Sequence, residues 1–363
     1  MRLYRHPARV RSLAAVILLA CSLFTACANK TASEPARESE DPQLLTNETT
    51  VVYDTVPEFV FTYAENQTED FPTTQGAYRF AQLVNERTEG RIQIRVYANS
   101  QLGDENSTLE QVRFGGIDFV RCSLPTVTPY SSMSRVLMLP YLYTDADHMW
   151  AVLDGEIGDT VASSFENTGI IPLSWYDAGV RNFYFTDPVY SLEEMKGLVI
   201  RVQPNEMMED MVRLLGAEAL PVSYENVYSA IQRGDADGAE NNWSSYDTMR
   251  HNEVAPYYLL DEHMRLPEIQ IISSVTWEQL SEEDKEIIKE CSRLSAQYER
   301  MLWNSREEAA RERDLAAGTV EITLSENEKQ KFHDAMEPLY QKYCAEYMDI
   351  VEQIRSLRSD SPD

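Results

Sequence analysis

Apolar positions along this chain switch repeatedly between two spacings. Phe59-Val-Phe-Thr-Tyr63 reads as a strand and runs into a polar loop, Ala64-Glu-Asn-Gln-Thr-Glu-Asp-Phe-Pro72. Ala77, Phe80, Ala81, Val84 and their neighbour Leu83 then return at helical spacing, and Gly90 stops that helix. Ile92, Ile94 and Val96 alternate as a strand. Strands separated by helical segments predict α/β layers. A helical segment at 108–114 ends at Gly115-Gly-Ile-Asp118 and is followed by Phe119-Val120. A second, at 225–233, ends at Gly234-Asp-Ala-Asp237. Upstream, Ile94-Arg-Val-x-x-Asn99 is echoed by Ile200-Arg-Val-x-x-Asn205. Together these echoes point to two similar α/β lobes. Ser191-Leu-Glu-Glu194 fits a capping box opening a short helix, which Gly197 ends before a strand at 198–202. Residues 281–316 carry a helical pattern without Pro or Gly. Such a helix spans about 50 Å at 1.5 Å per residue and could brace two lobes; the alternative is two helices broken near Trp303. An acidic helical stretch at 326–357 follows.

The first residues follow another pattern. Arg2, Arg5, Arg9 and Arg11 precede a 14-residue apolar run at 13–26. About 20 residues are needed to span a bilayer as a helix, so this run predicts an export signal rather than an anchor helix. It closes on Phe24-Thr-Ala-Cys27, which resembles a bacterial lipobox, with Phe24 where Leu is usual. Leu18-Leu-Ala-Cys21 also fits but leaves a shorter apolar run, so Cys27 is the expected lipidation site. A plain secretory signal is the alternative. Residues 1–26 are thus expected to be a signal peptide, and the polar residues of 27–50 a flexible tether to a membrane-held lipid.

The length, 363 residues, suggests two domains. Lys+Arg number 32 against 60 Asp+Glu, a net charge of −28. A surface this acidic repels phosphate backbones and anionic lipid heads, so nucleic acid is not an expected partner. Cys122, Cys291 and Cys344 form no CxxC pair, which excludes a disulfide framework or zinc site and predicts buried small hydrophobes. GxSxG, P-loop, HExxH and GxGxxG signatures are missing, and His148, His251, His263 and His333 lack metal-pair spacing. No metal, cofactor or catalytic residue is expected, although a carboxylate pair could hide among 60 acids. Arg181 and Arg201 stand out in so acidic a chain. An Arg at a strand end facing a cleft can fork onto a carboxylate, the alternative being a structural salt bridge.

Several strings occur in order: Tyr63 through Gly103, Gly115-Gly-Ile-Asp118, Leu139-Pro-Tyr-Leu142, Leu153-Asp-Gly155, Gly197-Leu-Val-Ile-Arg-Val202 and Asp237-Gly-Ala-Glu-Asn241. From about residue 57 to 355 the chain closely resembles the solute-binding proteins of TRAP (tripartite ATP-independent periplasmic) transporters. The resemblance implies an α/β, two-lobe periplasmic-binding-protein-like fold with a hinge and a long bracing helix. It implies that Arg201 grips a ligand carboxylate, assisted by Arg181, with Asn241 from the Asp-Gly-Gln-Glu-Asn motif, in which Ala239 here replaces Gln. Glu240-Asn-Asn-Trp-Ser-Ser-Tyr246, His251-Asn-Glu-Val-Ala255, Leu260-Asp-Glu-His263, Tyr63-Ala-Glu-Asn-Gln67 and Asp118-Phe-Val-Arg121 resemble the branch that binds hexuronates. The usual His-Pro of the first loop is Phe71-Pro72 here.

The expected ligand site comprises Arg201, Arg181, Asn241, Glu65, Asn66, Arg121, Tyr176, Asp177, Gln203, Glu240, Asn242 and Trp243. The implied lobes are 51–178 with 267–306 and 179–266 with 307–363. The implied partners are a sugar acid and the small and large membrane subunits of a TRAP permease, outside the cytoplasm. Sialic acid or a small dicarboxylate are rival ligands. A surface glycan hydrolase, or an adhesion or sensory protein reusing the fold, are rival functions.

Overall fold

The computed structural model describes residues 56–357. The signal, Cys27 and the tether lie outside the described residues. The strands are β1 (Phe59–Ala64), β2 (Ile92–Tyr97), β3 (Phe119–Ser123), β4 (Ile170–Tyr176), β5 (Val180–Phe185), β6 (Val199–Val202), β7 (Glu218–Pro221), β8 (Gly238–Asn241), β9 (Tyr257–Arg265), β10 (Glu268–Ser273) and β11 (Val320–Thr323). They form two sheets, ordered β2-β1-β3-β10-β4 and β11-β9-β5-β8-β6-β7. In the first, β1 runs parallel to β2 and β3, and β10 antiparallel to β3 and β4. In the second, β6 runs parallel to β7 and β8, and β5 antiparallel to β8 and β9. The order β7-β6-β8-β5-β9 therefore repeats the first sheet.

One sequence echo follows this repeat and the other does not. Gly115 and Gly234 each adopt φ +76°, the left-handed turn that ends a helix where a Cβ would be strained. Three residues on, Asp118 Oδ2 accepts from Thr62 N of β1 (2.8 Å) and Thr62 Oγ1 (3.0 Å), and Oδ1 accepts from Thr276 Oγ1 (2.7 Å). Asp237 Oδ2 accepts from Val199 N at the start of β6 (2.8 Å). In both halves the carboxylate before the third parallel strand ties down the first. The Ile-Arg-Val echo falls instead on β2 and β6, which are not equivalent; the counterpart of β2 is β7.

The chain leaves the first sheet through Asp177, Ala178 and Gly179 between β4 and β5, and re-enters it through Leu266 and Pro267 between β9 and β10. Gly179 has φ +60°, and a Cβ there would sit 2.8 Å from Trp303 Nε1. The helix Glu282–Ala317 is one continuous element of 36 residues. Ser281 caps its start by accepting from Asp284 N, and Gly318 ends it at φ +110°. It packs on the helix Pro72–Arg87 and on β4 with one part of its length, and on the helix Trp243–Thr248 with another. There is no break at Trp303, whose buried ring meets Phe71 edge-on at 5.6 Å.

The stretch at 326–357 is helical as expected, built of Glu326–Ala335, Glu337–Cys344 and Met348–Ser356, with a 3-10 turn before the last. Pro338 lies in the first turn of the second of these, where its missing N–H is tolerated. The capping box at Ser191 does not form. Leu192–Met195 is a 3-10 turn, the Ser191 side chain makes no capping bond, and Glu194 accepts from Tyr190 N (2.6 Å). Cys122, Cys291 and Cys344 are free and buried, as expected of small hydrophobes.

Candidate functional site

Ligand crevices in α/β sheets form beyond the carboxyl ends of parallel strands. Here those ends deliver Asn66 and Gln67 after β1, Gln203 after β6, and Asn241 and Asn242 at and after β8. They line two adjoining cavities. Asn66, Glu105, Gln203 and Tyr224 belong to both. Arg121, Arg181 and Glu268 face the first cavity, and Arg201 faces the second.

The three arginines are held differently. Arg121 is 2% exposed and saturated. Its Nε donates to Glu65 (3.0 Å), Nη1 to Glu105 (3.0 Å) and Glu268 (2.8 Å), and Nη2 to Glu65 and Asn66. Arg181 is clamped by Glu240, whose carboxylate accepts from Nε and Nη2, and Asn241 Oδ1 accepts from Nη1 (2.9 Å). Burial pushes the Glu240 carboxyl upward, but Arg181 and His263 outweigh it and hold it at about 2. Burial works against the charge on His263 too, yet Asp261 (2.9 Å) and Glu240 (3.6 Å) raise it to about 9.

Arg201 differs from both. It is fully buried, its Nε donates to Val222 O (2.8 Å), and neither Nη1 nor Nη2 has a partner. Burial lowers its affinity for the proton, with Glu240 opposing. A buried guanidinium left with two unmet donors is expensive unless an anion completes it. Gln67 Oε1, Thr73 Oγ1, Gln203 Oε1, Tyr224 OH and Trp303 Nε1 are also buried without partners, and all five residues line the first cavity. Donors and acceptors therefore meet in two adjoining cavities, Arg201 in the second and the other groups in the first, with Gln203 and Tyr224 shared, as a polyhydroxylated anion requires.

Of the residues expected from sequence, Arg201, Arg181, Arg121, Asn66, Gln203, Asn241 and Asn242 line the cavities. Glu65 and Glu240 stand behind them, orienting Arg121 and Arg181. Tyr176, Asp177 and Trp243 line neither cavity. The Tyr176 hydroxyl meets Ser295 of the long helix (3.0 Å), Asp177 accepts from Gly179 N (2.7 Å) and Trp150 Nε1 (3.3 Å), and Trp243 stacks on Tyr258 at 3.6 Å. Sequence reasoning did not single out Thr73, Glu105, Tyr224, Glu268 or Trp303. No spacing marks them, because they come from distant segments and meet only in the fold. Gln67 was visible only as the end of the Tyr63–Gln67 string. Among the described residues no group of three or more His, Cys, Asp or Glu is placed to hold a metal.

The model of bacterial extracellular solute-binding protein family 7, the DctP family, matches residues 63–346. The chain belongs to this family. Family 7 is a class of transport receptors rather than of enzymes, so the glycan-hydrolase alternative is not favoured. A relative, a solute-binding protein of Chromohalobacter salexigens, is 35% identical over 290 residues, covering 79% of this chain and 85% of that protein. The crystal structure of a TRAP periplasmic solute-binding protein from Xanthobacter autotrophicus, with bound β-D-galacturonate, has a TM-score of 0.79 and 37% identity. It covers 82% of this chain and 99% of that one. A second, from Pseudomonas putida with bound D-glucuronate, has a TM-score of 0.80 and 32% identity, covering 84% of this chain and 99% of that one. The two-lobe α/β fold is thus that of TRAP solute receptors. No helix among the described residues is long and apolar enough to cross a membrane.

Proposed function

We propose that this chain is an extracytoplasmic receptor that closes on a hexuronate and delivers it to a TRAP-type permease of small and large membrane subunits. The observation that carries the reading is Arg201, a buried guanidinium whose two terminal nitrogens have no partner. A ligand carboxylate forks onto Nη1 and Nη2. The sugar hydroxyls then meet Asn66, Gln67, Gln203, Tyr224 and Asn241. Arg181 keeps its ion pair with Glu240 and presents an ordered wall to the ligand. Related receptors hold galacturonate and glucuronate, which supports a sugar acid over sialic acid or a small dicarboxylate. Closure brings together lobes made of 51–178 with 267–306 and of 179–266 with 307–363. A lipid on Cys27 keeps the receptor at the membrane through the 27–50 tether.

Calorimetric titration with D-galacturonate, D-glucuronate, sialic acid and succinate tests the reading. A hexuronate is expected to bind most tightly. Arg201→Ala leaves the ligand charge buried and unpaired, a loss of about 2–5 kcal/mol. That is roughly 30- to 5000-fold in Kd at about 1.4 kcal/mol per decade. Arg201→Lys recovers only part, because an ammonium lacks the planar fork. A hexuronate that binds Arg201→Ala within about threefold of wild type would sink the assignment.

A further inference from the structure

The charged groups around the two cavities are unevenly balanced, and this imbalance bears on which sugar acids fit. Arg181 is paired one to one with Glu240. Arg201 has no carboxylate partner. Arg121 alone faces three carboxylates, from Glu65 on the β1 side, Glu105 at the start of the helix Glu105–Arg113, and Glu268 at the start of β10. Three acids around one guanidinium leave formal negative charge at that end of the first cavity. Glu105 is well satisfied, since its Oε2 also accepts from Ser123 Oγ (2.6 Å) and Thr126 Oγ1 (3.0 Å). Glu268 is not: among the described residues its carboxylate is bonded only by Arg121, at Oε2, and the residue lines the cavity.

We propose that Glu268, supported by Glu105, is a specificity-determining residue that over-neutralises Arg121 and so limits the site to ligands carrying a single carboxylate. The inference rests on the hexuronate reading and extends it. With the ligand carboxylate on Arg201, the other end of the sugar lies toward Arg121 and Glu268. A hydroxyl there donates to the open oxygen of Glu268. A second carboxylate there has no hydrogen to donate and meets like charge in a partly dry site, where such juxtaposition strongly disfavours binding. Burial, ahead of the charges on Glu105 and Glu65, pushes Glu268 up to about 7 against the pull of Arg121, so the exclusion operates fully above that pH, and the titrations are run at about pH 8, where Glu268 is ionised. Aldarates, which are hexuronates with the aldehyde carbon oxidised to a second carboxylate, are therefore rejected, and so are short dicarboxylates.

The experiment compares D-galacturonate with galactarate by calorimetric titration on wild type, Glu268→Gln and Glu105→Gln. Wild type is expected to favour galacturonate by about 100-fold or more. Glu268→Gln keeps the shape and removes the charge, and is expected to narrow that ratio at least tenfold, with Glu105→Gln acting in the same direction. The ring-to-chain difference between the two ligands is common to all three proteins and cancels when their ratios are compared. Wild type binding galactarate within threefold of galacturonate overturns the proposal. So does a ratio unchanged in both variants, whether because both ligands weaken together, as a merely structural role would give, or because galactarate stays undetectable. Melting curves of the empty variants show that they are folded, and Glu105→Gln stands in should Glu268→Gln not fold. If wild type fails to bind galacturonate, or Arg201→Ala still binds it, the hexuronate reading itself fails and the result is read against that reading.

Discussion

Arg201 was legible from sequence as a strand-end arginine in a chain with little need of one, but its state was not. Sequence left open a structural salt bridge, and the fold decides against it, because neither terminal nitrogen meets a carboxylate. The empty protein thus carries a desolvated charge without its counter-ion. Removing such a charge should not weaken the fold, since replacing buried ionic groups with well-packed apolar ones is often neutral or stabilising by 1–4 kcal/mol. Arg201→Met is expected to raise the melting temperature of the empty protein while abolishing the stabilisation that saturating hexuronate gives wild type. Thermal melts with and without ligand check both halves, and a lower melting temperature for empty Arg201→Met would assign the residue a structural role. Tyr176, Asp177 and Trp243, expected at the ligand, line neither cavity. Their neighbours in sequence reach the cavities, but Tyr176 bonds Ser295 of the long helix, Asp177 is tied to Gly179 and Trp150, and Trp243 stacks on Tyr258. Thr73, Tyr224, Glu268 and Trp303 were not marked because they converge across more than 200 residues, which no local pattern records.

At the scale of elements, the lesson concerns which repeats carry physics. The Gly-x-x-Asp echo is structural because it combines a backbone requirement with a hydrogen-bond requirement. Glycine reverses the helix end, and the carboxylate then accepts the amide of the first strand. The Ile-Arg-Val echo satisfies only a strand pattern, which any buried strand can meet. The two aspartates are not equally engaged. Asp118 accepts from Thr62 N, Thr62 Oγ1 and Thr276 Oγ1, whereas the Asp237 carboxylate accepts from Val199 N. Hydrogen bonds to a charged group are worth about 1.5–3 kcal/mol each, and they do not add fully when shared by one carboxylate. Asp118→Ala is therefore expected to destabilise by about 3–5 kcal/mol and Asp237→Ala by about 1.5–3 kcal/mol, measured by urea unfolding. Equal losses would count against the bond inventory as the cause. The long helix was readable because nothing in 36 residues interrupts it, and the tail was readable as helical, while its acidic composition hides the places where a helix restarts.

For the whole molecule, buried ionisable groups set the response to pH. Burial raises Glu268 to about 7, Asp314 to about 7 and Glu307 to about 6. A carboxyl whose folded value lies above its unfolded value keeps its proton longer in the native state, so stability falls as pH rises from about 4.5 through 7. His263, raised to about 9, contributes stability that is complete below about 6.5 and lost as pH climbs through 9. His251, which burial and then Arg201 lower to about 3, acts oppositely and adds stability as pH rises from 3 to 6.5. Glu240, held at about 2, loses its contribution only as pH falls below about 4.5. Three carboxyls outweigh one histidine between pH 4.5 and 7. Urea midpoints are thus expected to peak near pH 5 and to decline steadily toward pH 9, and Asp314→Asn should flatten the first part of that decline. A midpoint that rises from pH 5 to 8 would contradict it.

The three free cysteines have a consequence beyond packing. Cys122 lies on β3, Cys291 on the long helix and Cys344 at the end of the helix Glu337–Cys344, all buried. Burial pushes Cys291 and Cys344 up to about 12 and raises Cys122 well above the ordinary thiol value, so the native protein presents no thiolate to an oxidant. Outside the cytoplasm, where disulfides form readily, the unfolded chain has no such protection. A bridge formed between any two of these thiols before folding is absent from the native packing, in which all three are free. Each excursion from the native state is therefore a race between refolding and oxidation, and losing it removes the molecule permanently. For this receptor a high barrier to unfolding guards against chemistry that no affinity for ligand could reverse.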